Sequence, residues 1–307
     1  MFQTFSPQSR LGAAIYLTER IYHASVRKVR QKHGNAMLSI LVTIGQTALF
    51  TLAFYVMFAI LPIRAASIRG DFFIYTMTGV FLFMAHIQTV KAISASEKST
   101  SAMMQHAPMN TAIAITASAV SELYTQLMAG LVLLFGYYVA ISPFEIKEPI
   151  NCLGMVVLAW MSGIAVGLVF MAAKPWAPGP IGLLSMVYQR ANMVASGKMF
   201  VANSLPPFML SMFDWNPLFH IIDQTRGFAF VNYTPHNSSF YYPIYMTLAF
   251  LLIGLMIEFV TRKYASAVGE RGVDCVDCHP EQTPIRALWQ KIHKNCPILG
   301  LRTLAGA

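Results

Sequence analysis

Apolar positions in this chain neither alternate nor confine themselves to one helical face. They run in long blocks separated by short polar stretches. A helix crossing the hydrocarbon of a bilayer needs about 20 mostly apolar residues, each rising about 1.5 Å. Blocks 37–61, 72–90, 111–141, 152–173, 181–213 and 241–261 reach that length, and six membrane-spanning helices are expected. The first block has no charge and stops at Pro62 and Arg64. The second holds His86 and Gln88 near its far end. The third is broken only by Glu122 and is longer than a crossing requires, so its first turns are expected among headgroups or in cytosol. The fifth is irregular: Tyr188, Gln189, Arg190 and Asn192 lie inside it, then Ser196-Gly197-Lys198, then Leu205-Pro206-Pro207. The sixth ends at Arg262-Lys263. Ahead of the spans, residues 9–30 read as an amphipathic helix with Leu11, Ile15, Tyr22, Val26 and Val29 at helical spacings. A basic amphipathic helix in that position belongs in the membrane interface.

Composition agrees with the pattern. The chain is 56% hydrophobic and 11% charged, with a mean hydropathy of +0.53. A soluble domain carries about 25% charged residues, so a soluble enzyme, a coiled coil and a disordered chain are excluded. The net charge of +9 gains meaning from its placement. Arg10, Arg20, Arg27, Lys28, Arg30 and Lys32 precede the first span, and a second basic group follows the last one. The opposite loops hold only Arg64, Arg69, Lys147, Lys198 and Arg226. The positive-inside rule places both termini in the cytoplasm. The basic excess is therefore an orientation signal, and no nucleic-acid partner is expected. No secretory signal precedes the first span, so the N-terminal segment is expected to remain as a cytoplasmic part.

Several short stretches carry candidate chemistry. Residues 94–110 (SASEKSTSAMMQHAPMN) suggest a short cytosolic helix held between two spans, with Ser96, Ser99 and Thr100 as capping groups and Pro108 as its end. Gly163 and Gly167 in the fourth span let another helix approach closely, and packing within the subunit is favoured over self-association. Arg190, at membrane depth, should face protein or water, because a charge at mid-membrane costs about 2.5–3.5 kcal/mol on insertion scales. Glu122 reads as one half of an ion pair with an arginine of the interface helix, in preference to a proton relay. After Pro206-Pro207 come another apolar stretch, Asp214-Trp215-Asn216-Pro217, and a helix-like segment to Phe230. Too short to cross, this region is expected to re-enter from the extracytoplasmic side, and such backbone is tolerated only within protein or along a wet cavity. Trp215 fits either a glycan-stacking surface or an ordinary interfacial belt. In the tail, Cys275, Cys278, His293 and Cys296 have a spacing that could hold zinc, or they are idle reduced thiols. Cys275 to His279 also has the spacing of a haem attachment site, but haem is attached outside and charge places this tail inside. No phosphate-cradling GxxxxGK[ST] loop is present.

The layout from about residue 10 to 263 resembles the permease subunit of type-2 ATP-binding-cassette exporters, in particular those of polysaccharides such as capsule, O-antigen and teichoic acid. Four stretches carry the resemblance. They are Val29 to Asn35 leading into the first span, Ser96-Glu97-Lys98 through Pro108-Met109, Ser196-Gly197 with Ser204-Leu205-Pro206, and Trp215-Asn216-Pro217-Leu218-Phe219-His220 ending at Arg226. Residues 41–48 (LVTIGQTA) depart from it, lacking the family's Trp and Pro, and Gln189-Arg190 is more polar than the family pattern.

The resemblance implies an all-α membrane protein of six spans, with an N-terminal interface helix and an extracytoplasmic re-entrant hairpin between spans five and six. It implies three regions: 1–35 at the interface, 36–263 as the transmembrane domain and 264–307 as a cytoplasmic tail. It implies a transport subunit of the bacterial inner membrane rather than an enzyme. The chain would work as a homodimer with a separate cytosolic ATPase that holds ATP and magnesium, and this chain would bind no cofactor beyond the zinc considered above. The cargo would be a glycan, with a drug or lipid as the alternative, and periplasmic or outer-membrane export proteins could join the complex. Glu97, Lys98, Ser99, Met103, Arg27 and Arg30 are the expected ATPase-coupling residues. Tyr188, Arg190, Trp215, Asn216, His220 and Arg226 are the expected lining of the translocation path.

Overall fold

The computed structural model describes residues 10–31, 35–60, 71–96, 111–140 and 143–272, and among these it is helical with no strand. The helices are α1 (Arg10–Gln31), α2 (Ala36–Ile60), α3 (Phe72–Ser94), α4 (Thr111–Ala140), α5 (Pro149–Ala173), α6 (Pro178–Ala195), α7 (Pro207–Phe213), α8 (Pro217–Ala229) and α9 (Tyr241–Gly272). Five of them, α2 to α5 and α9, are long and apolar enough to cross a membrane. The chain is therefore a multi-pass membrane protein by the length and composition of its helices.

The apolar surface is distributed accordingly. α3 sits at the centre, packed on α5, α4, α2 and α8, while α9 lies outside against α5. In α3, 72% of the spanning window is buried, against 17% in α9. The outer face of α9 presents Leu248, Leu252, Leu255, Met256 and Phe259, a surface suited to lipid chains. α2 shows the same inversion within one helix. Its buried stripe is Ser39, Thr43, Thr47 and Thr51, and its exposed stripe includes Leu41, Leu49, Leu52 and Val56. The hydroxyls of Thr43 and Thr47 donate to the carbonyls of Ser39 and Thr43, 3.0 and 2.9 Å away. In hydrocarbon a hydroxyl must find such a partner, and the carbonyl four residues back is always at hand.

Close approach of α3 and α5 depends on glycine. A Cβ on Gly163 would lie 2.8 Å from the carbonyl oxygen of His86 and 2.9 Å from Cβ of Thr89, and one on Gly167 would lie 2.8 Å from Cβ of Ile93. The paired glycines thus serve packing within the subunit.

Two expectations need correction. The block 181–213 is not one helix. α6 ends at Ala195, Gly197 turns the chain with φ of 73°, and Pro206-Pro207 separates that turn from α7. Proline has no N–H to continue a helix and holds the preceding residue extended. The buried stripe of α1 also differs from the expected one. Ile21, Ala24, Ser25 and Val29 face inward, whereas Ile15 and Tyr22 stay exposed at 70% and 65%. Ala24 meets Ile113 and Ala117 of α4, a contact that small side chains permit and that leaves the larger Ile15 and Tyr22 on the outside. The last span ends at Lys263 as expected, and its helix continues beyond it to Gly272.

Substitution at Gly163 tests the α3–α5 contact. Gly163→Ala should destabilise by about 1–3 kcal/mol, the usual cost of overpacking, because the atom it meets is backbone. Gly154→Ala on the same helix, with open space around it, should be neutral or slightly stabilising. Thermal unfolding of the two variants in neutral detergent checks this.

Candidate functional site

The irregular region following α6 is held together by one arginine. Ser196 caps α6, and Gly197 takes a left-handed conformation in which a Cβ would lie 2.6 Å from the Phe219 ring. The resulting turn directs the carbonyls of residues 197, 198 and 200 toward α8. Arg226 Nη1 donates to the oxygens of Gly197 (3.1 Å) and Phe200 (2.6 Å), and Nη2 donates to that of Lys198 (2.9 Å). Its guanidinium also lies 4.3 Å from the centre of the Tyr75 ring on α3. Gly79 makes room: a Cβ there would come within 3.0 Å of both Nη2 of Arg226 and the Lys198 oxygen. Arg226 is only 1% exposed. A guanidinium offers five donors in a rigid plane, and carbonyl partners with an aromatic face let it remain charged out of water.

Asn216 secures the start of α8. Its Oδ1 accepts from the N–H of Leu218, and its Nδ2 donates to Oδ1 of Asn192 (3.0 Å) and the oxygen of Ala195 (2.9 Å). One side chain therefore caps α8 and ties it to the end of α6, with Pro217 filling the first helical position, where no N–H is needed. His220 is fixed from both sides. The N–H of Ser239 donates to Nδ1 (3.1 Å), so Nε2 carries the proton and donates to the oxygen of Asp214 (2.6 Å). Asp223 accepts from the Tyr233 hydroxyl (2.5 Å) and Ser238 Oγ (2.7 Å). Burial, and next the Asp223 charge, hold the Tyr233 phenol well above its ordinary pKa, so it remains the donor.

A second polar group crosses the bundle. Ser162 Oγ donates to the oxygen of Ala159 (2.8 Å). His86 Nδ1 then donates to Ser162 Oγ (2.8 Å), leaving Nε2 to accept from the Tyr188 hydroxyl (2.9 Å). This chain links α5, α3 and α6, and every member has a partner.

The structure thus divides the expected path residues. Asn216, His220 and Arg226 are buried and bound to backbone or to each other's neighbours, and Tyr188 is half-buried against His86. Arg190 and Trp215 are exposed; the Trp215 indole N–H donates to the oxygen of Met212, and its backbone carbonyl accepts from the Tyr242 hydroxyl of α9 (2.7 Å). Of the expected coupling residues, Arg27 and Arg30 are exposed on α1. Glu97, Lys98, Ser99 and Met103 lie outside the described residues, as do Cys275, Cys278, His293 and Cys296 of the suggested zinc site. No group of ligating side chains suited to a metal occurs among the described residues. Glu122 is buried and accepts from Gln126 Nε2 at 3.1 Å. Sequence reasoning missed Tyr75 and Gly79. A glycine amid the bulky residues of α3 was the available signal for Gly79.

Compared with known proteins, the chain matches no protein-family model and no curated protein.

Arg226→Lys should break the clasp despite keeping the charge, since one ammonium cannot reach three carbonyls in a plane. A loss of about 3–5 kcal/mol is expected, the range for removing one partner of a buried charged network. It would be read as a large fall in melting temperature, with Gln224→Ala, which removes only bonds to Ser238, as the milder comparison.

Proposed function

We propose that this chain is the membrane permease of an ATP-driven exporter. It pairs with a second copy of itself and a separate cytosolic ATPase, and it moves a polysaccharide across the bacterial inner membrane. The observation that carries the reading is the outward face of α6. Leu183, Leu184, Met186, Val187 and Val194 are exposed there, and Arg190 stands among them. A guanidinium in an apolar strip at membrane depth is costly against lipid and acceptable against water or protein. A second copy facing α6 across a wet path would give Arg190 such surroundings.

In this reading α6 is the fifth of six crossings. Its 18 residues rise about 27 Å, close to the ~30 Å of hydrocarbon. α7 and α8 form the re-entrant hairpin before α9, and both termini are cytoplasmic, as the distribution of lysine and arginine indicates. Trp215, at 71% exposure, stands at the outer end of the path, where an aromatic face can stack on sugar C–H groups. Arg27 and Arg30, exposed on α1, offer the ATPase a basic helix face. The polysaccharide assignment rests on the sequence resemblance. A drug or lipid cargo would appear as normal glycan delivery in a strain lacking the chain.

Arg190→Gln should reduce glycan delivery by at least tenfold while protein level, melting temperature and ATPase activity of the complex stay near wild type. Delivery unchanged in this variant and in Trp215→Ala would remove α6 and the turn between α7 and α8 from the path. Arg27→Glu combined with Arg30→Glu should instead reduce recovery of the ATPase with the permease, measured by co-purification from the native membrane.

A further inference from the structure

Among the described residues, one buried amine has no hydrogen-bonding partner. Lys198 is 1% exposed, and its Nζ makes no hydrogen bond among the described residues. Three aromatic rings surround it instead, with centres at 3.4 Å (Phe83), 4.9 Å (Phe54) and 5.1 Å (Phe50). Ring faces attract a cation but supply no acceptor for its three donors. Other buried ionisable groups are treated differently: Arg226 has three carbonyls, and Asp223 has two hydroxyls.

Phe50 has a second role. It lines an open groove of about 580 Å³ along α2, together with Val42, Gly45, Gln46, Leu49 and Ala53. Leu49 is 69% exposed, and a Cβ on Gly45 would meet nothing within 4 Å. From residue 42 to 53 a helix rises about 17 Å, close to half of a ~30 Å hydrocarbon core and hence to the reach of one acyl chain. The Phe50 ring in the wall of this open face also covers the unpartnered Lys198 Nζ. The two features share a wall, and their chemistries complement an elongated molecule with an apolar tail and a negative head.

We propose that the α2 groove and Lys198 together bind an anionic phospholipid-like amphiphile, its acyl chain lying along α2 and its phosphate drawn past Phe50 to the Lys198 ammonium. The proposal does not depend on the exported cargo or on the ATPase. It requires only that α2 face lipid and that Phe50 turn aside.

The test is a titration of the full-length protein in neutral-detergent micelles with dodecyl phosphate, read by native mass spectrometry. One saturable site per chain is expected. Lys198→Met and, separately, Gly45→Leu should each weaken it by at least about tenfold, the equivalent of losing one charged hydrogen bond or its geometry. Gly45→Leu fills open space and is expected to fold, so it tests the groove even where Lys198→Met does not fold. Dodecyltrimethylammonium, with the same tail and the opposite charge, should not compete. The proposal is overturned by wild-type binding in Gly45→Leu, by equal competition from dodecyltrimethylammonium, or by inorganic phosphate occupying the site as tightly as dodecyl phosphate.

Discussion

A guanidinium bonded to three carbonyls holds the least regular part of this protein in place. Between α6 and α7 the chain leaves the α-helical pattern, and the carbonyls freed there need donors. Arg226 supplies donors to the oxygens of Gly197, Lys198 and Phe200 at once. The rest of the local architecture accommodates that side chain. Gly197 adopts a conformation open to glycine, Gly79 yields the space beside Nη2, and Tyr75 provides a ring for the guanidinium to lie on. Asn216 completes the arrangement by joining the end of α6 to the start of α8.

The same physical constraint organises the helices. Without water, apolar side chains gain little by being buried against each other rather than against lipid, and close packing with internal polar contacts decides which faces meet. Small and hydroxyl-bearing residues therefore line the inside: the serine and threonine stripe of α2, and Gly163 and Gly167 of α5 against α3. Large aliphatic residues lie on the outside of α9 and α2. His86, Ser162 and Tyr188 extend the pattern into the centre, where each polar atom in the chain is matched by the next.

Against this background the groups that do not join the internal network point to function. Arg190 is exposed on an apolar strip, and Lys198 is enclosed by rings without an acceptor. They differ in what they call for. An exposed charge on the face of a membrane helix suits a wet boundary shared with another subunit, as the exporter reading supplies. An enclosed ammonium beside an apolar groove suits an anion that arrives with a hydrocarbon tail. By contrast, Arg226, His220 and Asn216 are consumed in tying α8 to the end of α6 and to the turns before it.

Much of the fold was legible in the sequence, because the requirement for a spanning helix is one of length and composition, which a linear chain displays directly. α2 to α5 and α9, and the start of α8 at Asn216-Pro217, follow from local rules of hydropathy and helix termination. The packing role of Gly163 and Gly167 was readable for the same reason. Tertiary structure alone decided which polar side chains would be consumed inside. Arg190, Lys198 and Arg226 look alike as single charges in apolar surroundings, and their separate fates depend on the carbonyls, rings or open surface brought to them by α2, α3 and α8. The burial of Ile21 and Ala24 rather than Ile15 and Tyr22 on α1 was likewise set by the surface of α4. Hydropathy is a property of a segment, whereas the satisfaction of a hydrogen-bonding group depends on partners distant in sequence, and only the folded bundle brings them within 3 Å of each other.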